Sequence, residues 1–416
     1  MDRDAFVAEV DARLRASAPN VDWGSILNLG HRHRLLDKNV PERFPTDKLP
    51  QWLKDALSDG HPMGAGHVTA DDILCPAHTD SLRPPRSATG PLVESFDEVT
   101  LTADPIRAIR ADNVSYLLLG LRGIFWNETG VLEDISKSGE AWLTRYMTPD
   151  KARHLPGVSL CTPMKGSNNF VHWLFDFLPR LLHLMESGVD LATFDHFVFF
   201  SAKGGIHAET FDLLGIPETK IHSLQHHGSL VQMDHMTHVT HPRSLTFCAP
   251  KNYALVKSLF SSGESAKRPH RRLLISRAQT ERRRVLNEDA FAARLAPFGF
   301  ERVVAETLSL KEQVALFSQA SHIIAPHGAG LANIAFAPPV TKVLEFYSAF
   351  ITRGFWTMAN QLGHDYHAFA CHGADRTYMT LDKIEALGGM WARNHHDIHV
   401  PLDDMMRFVE AEFLTR

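Results

Sequence analysis

The chain has 416 residues, 44% of them hydrophobic, enough to bury a sizeable core in about two domains. A formal charge of −5 leaves no electrostatic footprint for nucleic acid. No apolar run reaches the roughly 18–20 residues that cross a bilayer. The N-terminus, MDRDAFVAEVDARLRASAP, alternates charged and apolar residues and lacks a signal-peptide core. Cys75, Cys161, Cys248 and Cys371 form no C-x-x-C pair and read as reduced, mostly buried thiols of an intracellular protein. The 25 histidines include His31-x-His33, His226-His227 and His395-His396-x-x-His399. None stands with Cys or carboxylate at the spacing of a zinc site, so no metal site is expected.

Residues 1–90 open on an amphipathic helix, with Phe6, Val10 and Leu14 at helical spacing. Pro- and Gly-rich segments around a short helix at 52–57 follow, a helical and loop-rich N-terminal extension. From residue 91 the pattern turns to strands. Val114 to Leu121 predicts a buried strand, and two short strands flank a hairpin-like turn at Asn127-Glu128-Thr129-Gly130. The segment SNNFVHWLFDFLPRLLHLMES, 167–187, predicts a helix apolar almost all round and therefore buried. Asn168 or Asn169 caps it, and Pro179 predicts a kink or a break. His172 and Asp176 lie four residues apart on one face, within hydrogen-bonding reach of each other. Spacing alone favours a structural core contact; a base oriented by a carboxylate is the other reading.

Strands at 195–200, 220–224 and 236–240, with helices at 209–214 and 253–260, complete a first α/β domain, 91–262. A polar, hinge-like stretch runs from Ser261 to Ser265. The last third is more regular. Strand 272–276, a helix capped by Asn287 and strand 302–305 precede a capping box, Ser309 to Glu312. Next come strand 322–325, the turn His327-Gly328-Ala329-Gly330, a short helix stopped by Pro338-Pro339, and strand 341–346. Helix 354–362 and strand 366–370 end a compact doubly wound domain, 263–375, which a helical tail, 376–416, follows.

Ligands bind such sheets beyond the carboxyl ends of the strands. Ser276, Arg277, the turn with Leu331 and Asn333, and Glu345 all fall there. A Gly turn feeding a helix N-terminus presents backbone N–H groups to an anion, although glycines also simply let strand and helix pack closely. Arg277 is suited to a phosphate and Glu345 to a ribose hydroxyl pair. One arginine of Arg282-Arg283-Arg284 is expected beside the phosphates, with Arg284 the choice; the alternative is a solvated basic face. Gly328-x-Gly330-x-x-Asn333 lacks the third glycine of a dinucleotide fingerprint, which argues against a nicotinamide enzyme.

Three segments together resemble the family 61 glycosyltransferases: NNFVHWLFDFLPRL (168–181), RRLLISR with RRRVLNED (271–289), and ETLSLKEQVALFSQASHIIAPHGAGLANIAFAPPVTKVLEF (306–346). The resemblance spans roughly 105–370. It implies a GT-B architecture: two Rossmann-like domains facing a cleft, the C-terminal one holding a nucleotide-sugar donor, UDP-sugar the expected kind. It also implies inverting transfer to a hydroxyl of a saccharide or glycan acceptor, lipid-linked or not, in surface or capsular polysaccharide synthesis. No cofactor is expected. The leaving diphosphate would be met by Ser276, Arg277, Arg284, His327, Gly328, Ala329, Gly330, Leu331 and Asn333, the ribose by Glu345, and the acceptor proton by His172 or Asp176. A cytoplasmic location is expected, with peripheral membrane association or a homodimer both open and no transmembrane segment. A nucleotide-sugar epimerase or hydrolase on the same fold, and a binding protein with a degenerate site, are the competing classes.

Overall fold

A computed structural model of the chain describes residues 70–119, 122–127, 130–134, 153–163, 169–200, 204–224, 230–241, 243–244, 247–260 and 269–415. The expected N-terminal helix, the helix at 52–57, His31-x-His33, His226-His227, Asn168 and the 261–265 hinge lie outside these residues. The chain divides into two compact units. One ends its first segment at Pro76 and continues through Pro105–Trp173 and Arg180–His241; the other holds Ala77–Asp104, Leu174–Pro179 and Pro242–Arg416.

The first unit is built on an eight-stranded sheet. Its strands are β1 (Ala70–Cys75), β2 (Ile106–Leu119), β3 (Arg122–Asn127), β4 (Gly130–Asp134), β5 (Arg153–Cys161), β6 (His196–Phe200), β7 (Ile221–Leu224) and β8 (Leu230–Val239). Their order is β7-β6-β5-β8-β2-β3-β4, with β1 also on β2. The run from β7 to β8 is parallel, and every pairing from β8 to β4 is antiparallel. A Rossmann-like first domain was the expectation. The sheet is instead mixed, because β2 pairs with β8 more than a hundred residues downstream and then runs into a local meander.

The helix at 170–186 belongs partly to each unit. Phe170–His172 begins it, Trp173–Phe177 is a π-helical run, and Leu178–Glu186 completes it. Asn169 caps the start, its side chain accepting from Val171 N at 2.9 Å. The irregularity expected at Pro179 thus lies one turn earlier. Pro179 has no N–H to give and its ring crowds the carbonyl four residues back; the wider turn ahead relieves both.

The second unit has a six-stranded sheet, parallel throughout. Its strands are β9 (Arg271–Ile275), β10 (Phe300–Val303), β11 (Ala320–Pro326), β12 (Lys342–Tyr347), β13 (Asp365–Ala370) and the two-residue strand Ser87–Ala88. The order is β10-β9-β11-β12-β13, with Ser87–Ala88 at the edge beside β13. Five of these, numbered as they occur along the chain, therefore lie 2-1-3-4-5. Ile323 to Pro326 and Val343 to Tyr347 are buried without a break, as strands covered on both faces must be. Around the sheet lie α1 (Glu288–Leu295), α2 (Leu310–Phe317), α3 (Gly354–Leu362) and α4 (Leu402–Phe408). The capping box starts α2 as expected, Ser309 accepting from Glu312 N while Glu312 accepts from Ser309 N at 2.8 Å. Such a cap is worth about 0.5–2 kcal/mol.

Two sequence boundaries change. The 376–416 segment is not a loose tail: Met405, Met406, Val409 and Phe413 share one core with Leu274, Ile324, Leu344 and Phe369. Asn287 does not cap α1 with its side chain; its amide pairs both backbone groups of Val400, at 2.8 and 2.9 Å, and ties this segment down. The stretch 77–104, read as extension up to 90 and as first domain from 91, also belongs to the unit. Phe96 packs on Tyr347, Trp356 and Tyr366, and Trp356 donates to Arg83 O at 2.8 Å. Among the described residues no helix is long and apolar enough to cross a membrane.

Candidate functional site

In a 2-1-3-4-5 sheet the strand order reverses between the first and third strands, here β9 and β11, and loops leaving a reversal point splay apart to make a crevice. The chain leaves β9 at Ser276-Arg277 and leaves β11 at His327-Gly328. These are the segments the sequence singles out, and the fold brings them together.

Arg277 and Gly328 touch. A Cβ on Gly328 would overlap Nη1 of Arg277. The backbone at Gly328 is extended, with φ 171°, so glycine serves here to leave room and not to relieve strain. Arg277 donates through Nε at 3.1 Å and Nη2 at 2.7 Å to the carbonyl of Arg282, closing the loop on itself. That loop is anchored by Glu288 in the first turn of α1. Its carboxylate accepts from Ser276 Oγ at 2.5 Å and from Arg277 N at 2.9 Å. Ser276 is buried, and its hydroxyl shapes the loop.

The arginine that turns toward the site is Arg283, not Arg284. Arg283 has φ 52°, in the left-handed region that costs a non-glycine residue about 1–2 kcal/mol and gathers at functional sites. Its Nε donates to His327 O at 3.0 Å, its Nη1 donates to Asn394 O at 3.3 Å, and its guanidinium lies 5.1 Å from the centre of the Phe350 ring. Arg284 turns the other way and pairs with Asp397 at 2.6 Å. Burial, then the charges of Arg277 and Arg282, bring Arg283 down to about 10; Glu345 opposes this. Burial also lowers Arg277, against Glu306 and Glu288. Among the described residues, none of Arg277, Arg282 and Arg283 has a carboxylate within ion-pair distance. The Arg277 and Arg283 guanidinium groups have backbone carbonyls as their hydrogen-bond partners.

The turn itself is fixed from below. Ala329–Phe336 forms a 3-10 helix whose first bond runs from Leu331 N to Gly328 O at 3.0 Å. Ala329 and Gly330 open it, where N–H groups have no intrahelical partner. Asn333, expected among the groups that meet the diphosphate, is fully buried and donates instead to Gln313 Oε1 at 2.8 Å and to Gly330 O at 3.0 Å, bracing the loop.

Glu345 lies deeper than its place at the end of β12 implies. It is 0% exposed. One oxygen meets His327 Nδ1 at 2.5 Å and the other accepts from Tyr366 OH at 2.7 Å. The sequence placed it against a ribose; both of its oxygens are engaged by His327 and Tyr366. His327 also stacks on Tyr347, at 5.5 Å and 19° between rings, and touches Phe350 and Phe355.

In the first part of the molecule, His172 is exposed and Asp176 is buried. The adjoining Trp173 is pinned by its Nε1 to Thr210 Oγ1 at 2.9 Å and by edge contacts to His207 and Phe211. The π-helical run begins directly after His172, so the two residues do not share the regular α-helical face that spacing predicts. Sequence reasoning missed Arg283 and Glu288. An acidic residue in the first turn of a helix was a legible signal for the second; nothing in three consecutive arginines marks the first.

Fold and site define an open parallel α/β sheet with an arginine-lined glycine turn at its reversal point. The model of the family described as Glycosyltransferase 61 matches residues 170–344, and over that span the chain is similar to that family. The match is narrower than the 105–370 resemblance. It takes in His172, Asp176, Arg277, Arg283 and the whole turn, and stops one residue before Glu345. No curated protein matches the chain.

Proposed function

We propose that the protein moves a sugar from a nucleoside-diphosphate sugar, UDP-sugar the expected kind, to a hydroxyl of a saccharide or glycan acceptor, with inversion. The second unit is read as the donor half of a GT-B enzyme, and the setting as surface or capsular polysaccharide synthesis on the cytoplasmic side. One observation carries the reading: two arginines without carboxylate partners, Arg277 and Arg283, meet a glycine turn at the reversal point of a parallel sheet. Such unbalanced charge is stable only because the groups are half-solvated, and it suits an anion of two phosphates.

In this proposal the acceptor oxygen attacks the anomeric carbon as the bond to the diphosphate oxygen breaks. Charge growing on the leaving diphosphate meets Arg277, Arg283, His327 and the N–H groups of the turn, contacts that strengthen as the bond opens. The acceptor proton passes to His172 or Asp176. Exposure favours His172, since a base must reach its substrate.

Titration calorimetry with uridine, guanosine and cytidine diphosphates tests the donor half. At least one should bind, and Arg277→Ala should weaken it. His172→Ala should bind that diphosphate normally yet transfer no sugar. Binding of none of the three by the intact chain would sink the reading, because a native-state ligand must be detectable at its own site.

A further inference from the structure

Behind the turn lies a closed ring of polar groups that a phosphate-binding loop does not by itself require. From His327 Nδ1 it passes to Glu345 Oε1 at 2.5 Å, and from Glu345 Oε2 to Tyr366 OH at 2.7 Å. From Tyr366 it goes to Tyr347 OH at 2.8 Å, then to Thr352 O at 3.4 Å. Thr352 Oγ1 closes it, 3.4 Å from His327 Nε2. The proton order in the ring is nearly forced. Tyr366 has one proton and donates it to Glu345, so Tyr347 donates its own to Tyr366 and its 3.4 Å approach to Thr352 O is a contact without a proton. Glu345 then has one oxygen left, facing His327.

Glu345 is fully buried, and the described residues provide no arginine or lysine ion pair to it. A buried carboxylate is stable when a positive partner and hydrogen bonds compensate it. The groups facing it are Tyr366, Tyr347, His327 and, through charge, Arg283. His327 alone both touches it and can carry a charge. Its other nitrogen, Nε2, lies on the side of Thr352, the residue just before Arg353 at the start of α3.

We infer that Glu345 and Tyr366 are positioning residues that hold the His327 ring through its Nδ1, fixing its orientation behind the turn for contact with the donor's diphosphate. This rests on the nucleotide-sugar reading of the site. Glu345 acts through His327, and the ribose is bound elsewhere.

The test compares Glu345→Gln, Tyr366→Phe, His327→Ala and the double variant His327→Ala/Glu345→Gln with the parent chain. Each is titrated with uridine diphosphate and with uridine, or with the guanosine or cytidine pair if that diphosphate binds more tightly. Glu345→Gln keeps the shape and removes the charge. Diphosphate binding should weaken about 10- to 100-fold, the range of a charged hydrogen bond, while nucleoside binding stays unchanged. Tyr366→Phe should weaken it a few-fold, and serves if Glu345→Gln does not fold. The double variant should be no worse than His327→Ala, because the two act as one. Additive losses, or equal losses of nucleoside and diphosphate, would place Glu345 on the ligand directly and overturn the inference. Nitrogen NMR of ring-labelled protein gives a readout without any nucleotide. The His327 Nδ1 resonance should move in Glu345→Gln and in Tyr366→Phe; a resonance that ignores both substitutions also overturns it. If no diphosphate binds the parent, the functional reading fails, and the NMR result still decides whether Glu345 holds His327.

Discussion

Gly328→Ala separates the site from the fold. Its backbone, at φ 171°, is open to any residue, so alanine meets no conformational barrier. The added methyl collides with the tip of the Arg277 side chain, a group free to swing away. Swinging away forfeits the bonds at 3.1 and 2.7 Å to Arg282 O. At ~0.5–1.5 kcal/mol for each net hydrogen bond, the fold loses about 1–3 kcal/mol. For a unit of roughly 200 residues that lowers the melting temperature by about 2–12 °C. Losing the Arg277 contact to a phosphate should weaken nucleoside diphosphate binding about 10- to 100-fold. Calorimetric titration beside a thermal melt reads both. Gly330→Ala is the control: its methyl would sit 3.2 Å from Ile275 Cγ2, inside the core and away from the arginines. It should cost some stability and leave binding alone. A folded Gly328→Ala protein that binds diphosphate as tightly as the parent would remove Arg277 from the site.

Further outcomes follow from the same geometry. Arg284→Ala breaks the ion pair with Asp397 and should leave nucleotide affinity unchanged in a titration, whereas Arg283→Ala should lower it. Asn333→Ala leaves the buried Gln313 Oε1 and the Gly330 carbonyl without their donor, a loss of about 1–3 kcal/mol visible as an earlier denaturation midpoint at unchanged slope. His364 and His367 are both held down from 6.5 to about 4, chiefly by burial. Between those values the unfolded chain binds more protons, so their contribution is complete above about pH 6.5 and is withdrawn as pH falls toward about 4. Shifts of that size are worth roughly 3 kcal/mol each, so melts taken from about pH 7 down to about pH 5 should show falling stability; a flat profile contradicts the neutral, buried rings.

The second unit was easy to read because its signals are local. Apolar runs bounded by Pro326 and Gly328, the capping box at Ser309 and the Pro338-Pro339 stop each act within a few residues, and together they order five of six strands. What escaped depends on distant partners. β2 and β8 carry ordinary strand patterns, and nothing local says that they pair with each other, antiparallel. Arg282, Arg283 and Arg284 are chemically identical; a single positive φ at Arg283 decides which one turns inward. Glu345 was assigned to a ribose from its place near the end of a strand. Its partner Tyr366 belongs to the neighbouring strand, and only the register of β12 against β13 puts the two together. Met405, Met406, Val409 and Phe413 form a face whose counterpart, Ile324 and Leu344, lies some sixty to ninety residues earlier.

The small edge strand Ser87–Ala88 has a consequence for the order of assembly. Ser87 meets His367 from 280 positions away. At ~5–20 residues per second, a ribosome needs roughly 15–55 s to deliver the second partner after the first. Throughout that interval Phe96 and its neighbours have emerged while Tyr366 has not been made. The unit that holds the arginine loop is therefore finished only once β13 has been made. The opening segment is the last strand to dock, so nascent-chain truncations ending before Asp365 should retain protease sensitivity at 77–104.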